Sequence, residues 1–222
     1  VKKRLVIVGG KGSGEIAMSI FEAANLITDE WAIEGYLADM SAPGTMLGRY
    51  PILGGSDETP EYVRQGYYIH YALQFNAKQK LDRVERFKAM DIPLEANATA
   101  IHPTVSLAPE TTIGAGCVLC AFVASSFGAS LGNFSHAYTG ALMGHDCKTE
   151  EFVTLAAHSI VGARVLVREG AHVGLNSAIR EDLIVGRYAI IGMGAVVIRE
   201  VGDFDIVGGN PAKFLKKVET HA

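Results

Sequence analysis

Cysteine is scarce: three in 222 residues cannot build a disulfide framework, so a reducing cytoplasm is the expected setting. Long apolar runs are missing as well. The longest candidate, Ala189 to Ile198, contains two glycines and reaches only about half of the roughly 18 residues that a spanning helix needs. No membrane span is expected. Neither charge sign dominates: Lys+Arg is 20 against Asp+Glu 24, for a net charge of −4. That balance argues against a general nucleic-acid binder and against a polybasic membrane-surface protein. The opening Val1-Lys2-Lys3-Arg4 runs into a short apolar stretch without a cleavage-site pattern and reads as a first strand. Disorder is excluded by a hydrophobic content of 49%. What the chain does have is glycine, 25 residues of it, the first sign of a turn-rich or repetitive fold.

An internal period supplies the fold. Counting by sixes from Ile101 to Val197, 14 of 17 positions are Ile, Leu, Val or Met. The position four residues after each is small in nearly every unit, as at Cys117, Ala129, Ser135, Cys147 and Ala171, with Leu183 too large for the slot. A period of six fits neither a 3.6-residue helix nor an alternating strand. It predicts a parallel β-helix: each unit is a short strand and a corner, and three units close a triangular coil. Residues 18 apart then lie one above another, and the large and small positions point inward. Glycine often follows the large residue (Gly114, Gly132, Gly144, Gly162, Gly174), where the chain turns and conformational freedom is useful.

The first part, 1–95, has another rhythm. Arg4 to Val8 reads as a buried strand, followed by Gly9-Gly10-Lys11-Gly12-Ser13-Gly14. Glu15 to Ile27 has helical spacing, with Ile16, Ile20 and Phe21 on one side. Trp31 to Ala38 is a second strand ending at Asp39, and Tyr68 to Leu73 a third. Asn76 is placed to cap a last helix carrying Leu81, Val84 and Phe87. Strand, glycine turn, helix, strand and acid make half of a nucleotide-binding α/β fold. Gly12-Ser13-Gly14-Glu15-Ile16-Ala17 matches G-x-G-x-x-A, and amides at that helix start are suited to a phosphate; a tight turn needed only for packing explains the same residues. Pro93 to Pro103 joins this half-domain to the repeats (96–222), and Pro211, Lys213 and Lys216-Lys217 form a basic C-terminal cap.

Among the histidines, His70 reads as a structural residue in a strand. His136 and His172 each precede an inward position and so point outward, in one column with Thr154 between them. That interruption makes them a poor metal site, and Cys117 and Cys120 form a C-x-x-C with no second pair; no metal is expected. His145 is singled out. It follows Gly144, precedes Asp146, and falls at a corner with its ring on the outer edge. A carboxylate beside an imidazole fixes its tautomer and favours it as a general base. A solvated corner histidine is the competing account.

The whole chain resembles the NeuD/PglD-type sugar acyltransferases. The resemblance rests on the small N-terminal nucleotide-binding part, Ile101-His102-Pro103, the hexapeptide repeats, Gly144-His145-Asp146-Cys147, and the terminal Gly209-Asn210-Pro211-Ala212-Lys213. It implies a left-handed β-helix, a homotrimer, and acetyl-CoA as acyl donor to a nucleotide-linked amino sugar in bacterial surface-glycan synthesis. It further implies His145 as general base and Asp146 as its orienting acid. Thr154, Leu175 and Met193 would border the CoA arm; Lys11, Gly12, Ser13 and Asp39 would hold the acceptor's nucleotide, with Tyr138 close to the catalytic histidine. The chain departs from the family's usual residues at Ser13, at Leu73-Gln74-Phe75, at Tyr138 (commonly asparagine) and at Thr154 (often histidine). A free sugar, a sialic acid or another small acceptor, and a non-catalytic trimeric binding module, stay open as readings.

Overall fold

The computed structural model of the chain describes residues 1–72 and 80–219. Leu73, Gln74, Phe75, Asn76 and His221 lie outside the described residues. The N-terminal part holds strand β1 (Lys3–Val8), helix α1 (Ser13–Thr28), β2 (Trp31–Leu37), β3 (Met46–Leu47), β4 (Tyr50–Gly54), α2 (Thr59–Arg64), β5 (Tyr68–Tyr71) and α3 (Lys80–Ala89). The sheet order is β3-β4-β2-β1-β5. The pairs β1–β2, β1–β5 and β2–β4 are parallel, and only the edge hairpin β3–β4 is antiparallel. The hairpin and α2 were not expected from the sequence, because Met46–Gly54 lacks a run long enough to show a period.

Leu5, Val6, Ile7 and Val8 are fully buried, as a central strand covered on both faces requires. The buried side of α1 is Ala17, Met18, Ile20 and Phe21, whereas Ile16, expected there, is 40% exposed. The helix is rotated so that Gly14 packs on Gly9: a Cβ at Gly14 would lie 2.4 Å from the Gly9 carbonyl oxygen. That close approach sets which face turns inward, and Ile16 falls outside it.

The repeats fold as expected. Two-residue strands stack in parallel 18 residues apart on three faces, making the triangular prism of a left-handed β-helix. The first face carries the ladder Ala100, Val118, His136, Thr154, His172 and Ile190 on its outside. The second carries Ala124, Leu142, Ile160, Ala178 and Val196. The third includes Ser130, Lys148, Leu166 and Ile184. Inside, large and small residues interdigitate: Leu119, Leu131, Met143, Leu155 and Val173 with Cys117, Ala129, Ala141, Cys147 and Ala171, all fully or almost fully buried. Leu183 fits its small slot at 6% exposure.

The glycines after the large residue serve a different purpose from the one read in the sequence. Gly132, Gly144 and Gly162 do not have positive φ. A Cβ on any of them would sit within 2.4–2.8 Å of backbone atoms of the next coil, so they permit stacked corners to approach. The left-handed conformation falls two residues later. It is held by glycine at Gly116, Gly128 and Gly140 but by Phe134, Asp146, Phe152, His158, Arg164 and Asp182 elsewhere. Each non-glycine residue there costs about 1–2 kcal/mol, offset by coil-to-coil backbone hydrogen bonds such as Asp146 N to Phe127 O at 3.0 Å and Arg164 N to His145 O at 2.9 Å.

The N-terminal part covers the first face. Phe87 of α3 packs against the stacked pair Phe134 and Phe152 (centroids 5.1 Å apart), and Lys88 pairs with Glu169 at 2.8 Å. The outward-pointing His136 is therefore only 3% exposed and His172 half-buried. The sequence places their direction correctly and says nothing of their cover, which comes from residues far earlier in the chain. Among the described residues no helix is long and apolar enough to cross a membrane.

Candidate active site

His145 lies on the ridge between the second and third faces, with Leu142–Met143 before it and Lys148–Thr149 after it. Asp146, in the left-handed conformation (φ 57°), brings its carboxylate back beside the ring. The imidazole Nδ1–H donates to Asp146 Oδ2 at 2.8 Å. Gly128, one coil above, makes room: a Cβ there would lie 2.7 Å from Asp146 Oδ1. On the other side, Arg164 Nη1 lies 3.4 Å from His145 Nε2, a long contact. A guanidinium only donates, so it meets Nε2 as a lone pair. Both neighbours thus select one tautomer, with the proton on Nδ1 and a free-electron-pair nitrogen facing outward, which is the form a general base needs.

Arg164 is itself fixed by a two-pronged pair with Asp182, Nε to Oδ1 at 2.6 Å and Nη2 to Oδ2 at 2.8 Å. That hydrogen bonding holds the Asp182 carboxyl below the usual range. Arg164 and Asp182 escaped the sequence reading, although a signal was present: Asp146, Arg164 and Asp182 are spaced by 18, one coil each, which stacks acid, base and acid in a single ridge.

A cavity of about 350 Å³ opens at the other edge of the second face, lined by Tyr138, Thr139, Thr154, Ala156, Ala157, His172 and Leu175. The structure therefore brings together Tyr138, Thr154 and Leu175. Met193 is one coil beyond Leu175 on the same ridge, with Gly194 N donating to Leu175 O at 2.8 Å, and is 77% exposed. Burial pushes the Tyr138 phenol up to about 12, so it stays a neutral hydroxyl. Within one chain Tyr138 is not beside His145: the entire second face separates their ridges.

The first face holds a line of buried polar groups. His70 is fully buried, its Nδ1–H donating to Ala98 O at 2.8 Å, and desolvation lowers its pKa to about 4. Desolvation takes His136 to about 3, with His70 and Lys80 adding to the shift, and His172 to about 4. Lys80, at the start of α3, is 2% exposed and lowered by burial to about 7.

At the C-terminal end of the N-terminal sheet lie Lys11, Gly12, Ser13 and Asp39. Gly12 N donates to Glu15 Oε2 at 2.9 Å. Asp39 accepts from Ser56 N at 2.7 Å and Ser56 Oγ at 2.8 Å. Lys11 is exposed.

No family model matches the chain. Over 128 residues, 55% of the chain and 58% of the relative, it is 35% identical to a GDP-perosamine N-acetyltransferase of Escherichia coli O157:H7. Over 50 residues, 22% of the chain and 26% of the relative, it is 44% identical to a dTDP-3-amino-3,6-dideoxy-alpha-D-galactopyranose 3-N-acetyltransferase of Aneurinibacillus thermoaerophilus. Each match thus spans less than two thirds of the curated relative. Among solved structures, a mutant of perosamine N-acetyltransferase from Caulobacter crescentus, in complex with CoA and GDP-perosamine, is 25% identical with a TM-score of 0.83, covering 98% of this chain and 99% of that one. The acetyltransferase domain of PglB from Neisseria gonorrhoeae FA1090 shares the fold at 24% identity and a TM-score of 0.82, over 96% of this chain and 100% of that one. In fold, nearly the whole chain is similar to these sugar N-acetyltransferases; in sequence, about half of it is.

Proposed function

We propose that the protein is an acetyl-CoA-dependent N- or O-acetyltransferase whose acceptor is a nucleotide-linked amino sugar of bacterial surface-glycan synthesis, acting in the cytoplasm. The observation that carries this is the His145–Asp146 pair, with Nδ1 donating at 2.8 Å, set on a ridge beside the exposed second face. In the reaction the acceptor amine or hydroxyl attacks the thioester carbonyl carbon. His145 Nε2 takes the proton the nucleophile sheds; the carbon–sulfur bond breaks, and the proton passes to the departing thiolate. Asp146 holds the ring through both transfers. Arg164 must release Nε2 as the acceptor arrives, and its pairing with Asp182 keeps it nearby. Binding both substrates in one cleft supplies the orientation.

Lys11, Gly12, Ser13 and Asp39 are proposed to face the acceptor, with Tyr138, and Thr154, Leu175 and Met193 the acyl-CoA. Because one chain keeps His145 and the cavity on opposite ridges, the reading requires a neighbouring copy to bring them together, in a homotrimer. The second face supports this: its outer column is Ala124, Leu142, Ile160, Ala178 and Val196, with Leu142 37% and Ile160 44% exposed. Apolar columns of this kind are buried in subunit contacts. Ile160→Asp is expected to reduce the mass in sedimentation velocity from three chains to one and to abolish transfer with it; an unchanged mass speaks against this face as the contact.

A second reading, an acceptor without a nucleotide, is favoured by the glycine turn. The Glu15 carboxylate takes the Gly12 amide, and Ser56 occupies both oxygens of Asp39, which leaves an anion where a phosphate would sit. A thiol-release assay with acetyl-CoA separates the readings. Nucleotide-linked amino sugars are expected to release CoA faster than the corresponding free sugars; equal rates favour the second reading, and no release with any acceptor defeats both.

A further inference from the structure

Thr154 stands between the two outward histidines of the first face, His136 and His172. Thr154 lines the cavity and is also reached by a side chain of the N-terminal part. Lys80 Nζ, arriving from the first turn of α3, donates to Thr154 Oγ1 at 3.0 Å and reaches Ala171 O at 3.4 Å. Seventy-four positions separate Lys80 from Thr154 in the chain. A hydroxyl has one hydrogen and two lone pairs. With Lys80 donating into one lone pair, the hydroxyl hydrogen points away from the ammonium, which leaves it available to the cavity that Thr154 shares with Tyr138, His172 and Leu175. Both the amine and the ammonium of lysine carry N–H donors, so this arrangement does not depend on which is present.

We propose that Lys80 is a positioning residue: by donating to Thr154 Oγ1 it commits the threonine hydroxyl to donate into the cavity, to the carbonyl oxygen of a bound acyl group. The proposal rests on the acyltransferase reading and adds to it a residue of the N-terminal part that nothing in the β-helix supplies. The physical need is plain. As the nucleophile attacks, negative charge grows on that oxygen, and a donor already aimed at it requires no reorientation. A threonine left free would rotate; one held by a buried lysine does not.

The test compares two ligands by calorimetry: CoA, and a CoA thioether carrying a methyl ketone in place of the acetyl group. The second offers the carbonyl but cannot transfer it. The parent protein is expected to bind the ketone about fivefold to tenfold more tightly than CoA, the worth of roughly one hydrogen bond. Lys80→Met keeps the length of the side chain and removes a buried amine, so folding is expected to survive. Lys80→Met is expected to erase the preference while leaving CoA affinity within about twofold, and Thr154→Val to erase the preference as well. The double variant is expected to lose no more than either single one, because the two act as one unit. A preference that persists in Lys80→Met, or a Lys80→Met loss shared equally by CoA and the ketone, overturns the proposal and leaves the acyltransferase reading standing. A parent protein that binds neither ligand overturns the acyltransferase reading itself.

Discussion

His145→Ala is expected to lower turnover by about 10²–10⁴-fold, the usual worth of a positioned general base. The loss should fall on kcat and leave the KM for acetyl-CoA nearly unchanged, because the proposed cavity for the acyl donor lies on a different ridge, around Thr154 and Leu175. The substitution should leave the fold intact: the His145 side chain is 50% exposed, and its backbone carbonyl, which accepts from Arg164 N at 2.9 Å, is kept. Asp146→Asn should cost less but in the same direction. An amide can present its NH₂ to Nδ1, which favours the tautomer with the proton on Nε2, where a base needs its lone pair. Steady-state thiol release over a range of acceptor concentrations reads both effects. Activity of His145→Ala within about twofold of the parent would remove the histidine from the reaction.

Acid is expected to unfold the protein well before its carboxylates are protonated. His70, His136 and His172 are held neutral by burial, at about 4, 3 and 4. In the unfolded chain each returns to about 6.5. Between those values the unfolded state binds protons that the folded state refuses, so stability rises with pH in that window and is lost as pH falls through 6.5 toward 4. Each histidine accounts for about 2 kcal/mol between pH 7 and 5, and the three together for on the order of 5 kcal/mol. Lys80 adds a separate, alkaline limb. Its folded value of about 7 lies below the ordinary 10.5, so stability continues to climb between about pH 7 and 10 as far as this group is concerned. Thermal unfolding at pH 7 and pH 5 should differ by roughly 10 °C or more. In NMR spectra, the three imidazoles should not titrate above pH 5. A melting temperature that is flat over this range, or three imidazoles titrating near 6.5, would show that the first face is open to water.

These two expectations draw on different levels of the molecule. His145 and Asp146 stand next to each other in the chain, and a strict six-residue period fixes where each unit turns. The ridge, the outward ring and the neighbouring acid are therefore legible in the sequence. Arg164 was legible in principle by the same arithmetic, since residues 18 apart must stack. The buried histidines were legible only by direction. Whether an outward residue meets water or protein depends on a helix, α3, whose own sequence gives no register against the prism.

The period alone determined the prism, its inward columns and its ridges, because a repeating coil allows each residue one position. The nucleotide-type strand, turn and helix at the start were likewise set by local pattern. Only the tertiary structure decided that the N-terminal part caps the first face, that Lys80 reaches Thr154, and that Glu15 and Ser56 occupy groups of the glycine turn. Those arrangements come from packing between segments far apart in sequence, where side-chain volume and desolvation, rather than any repeat, choose the partners.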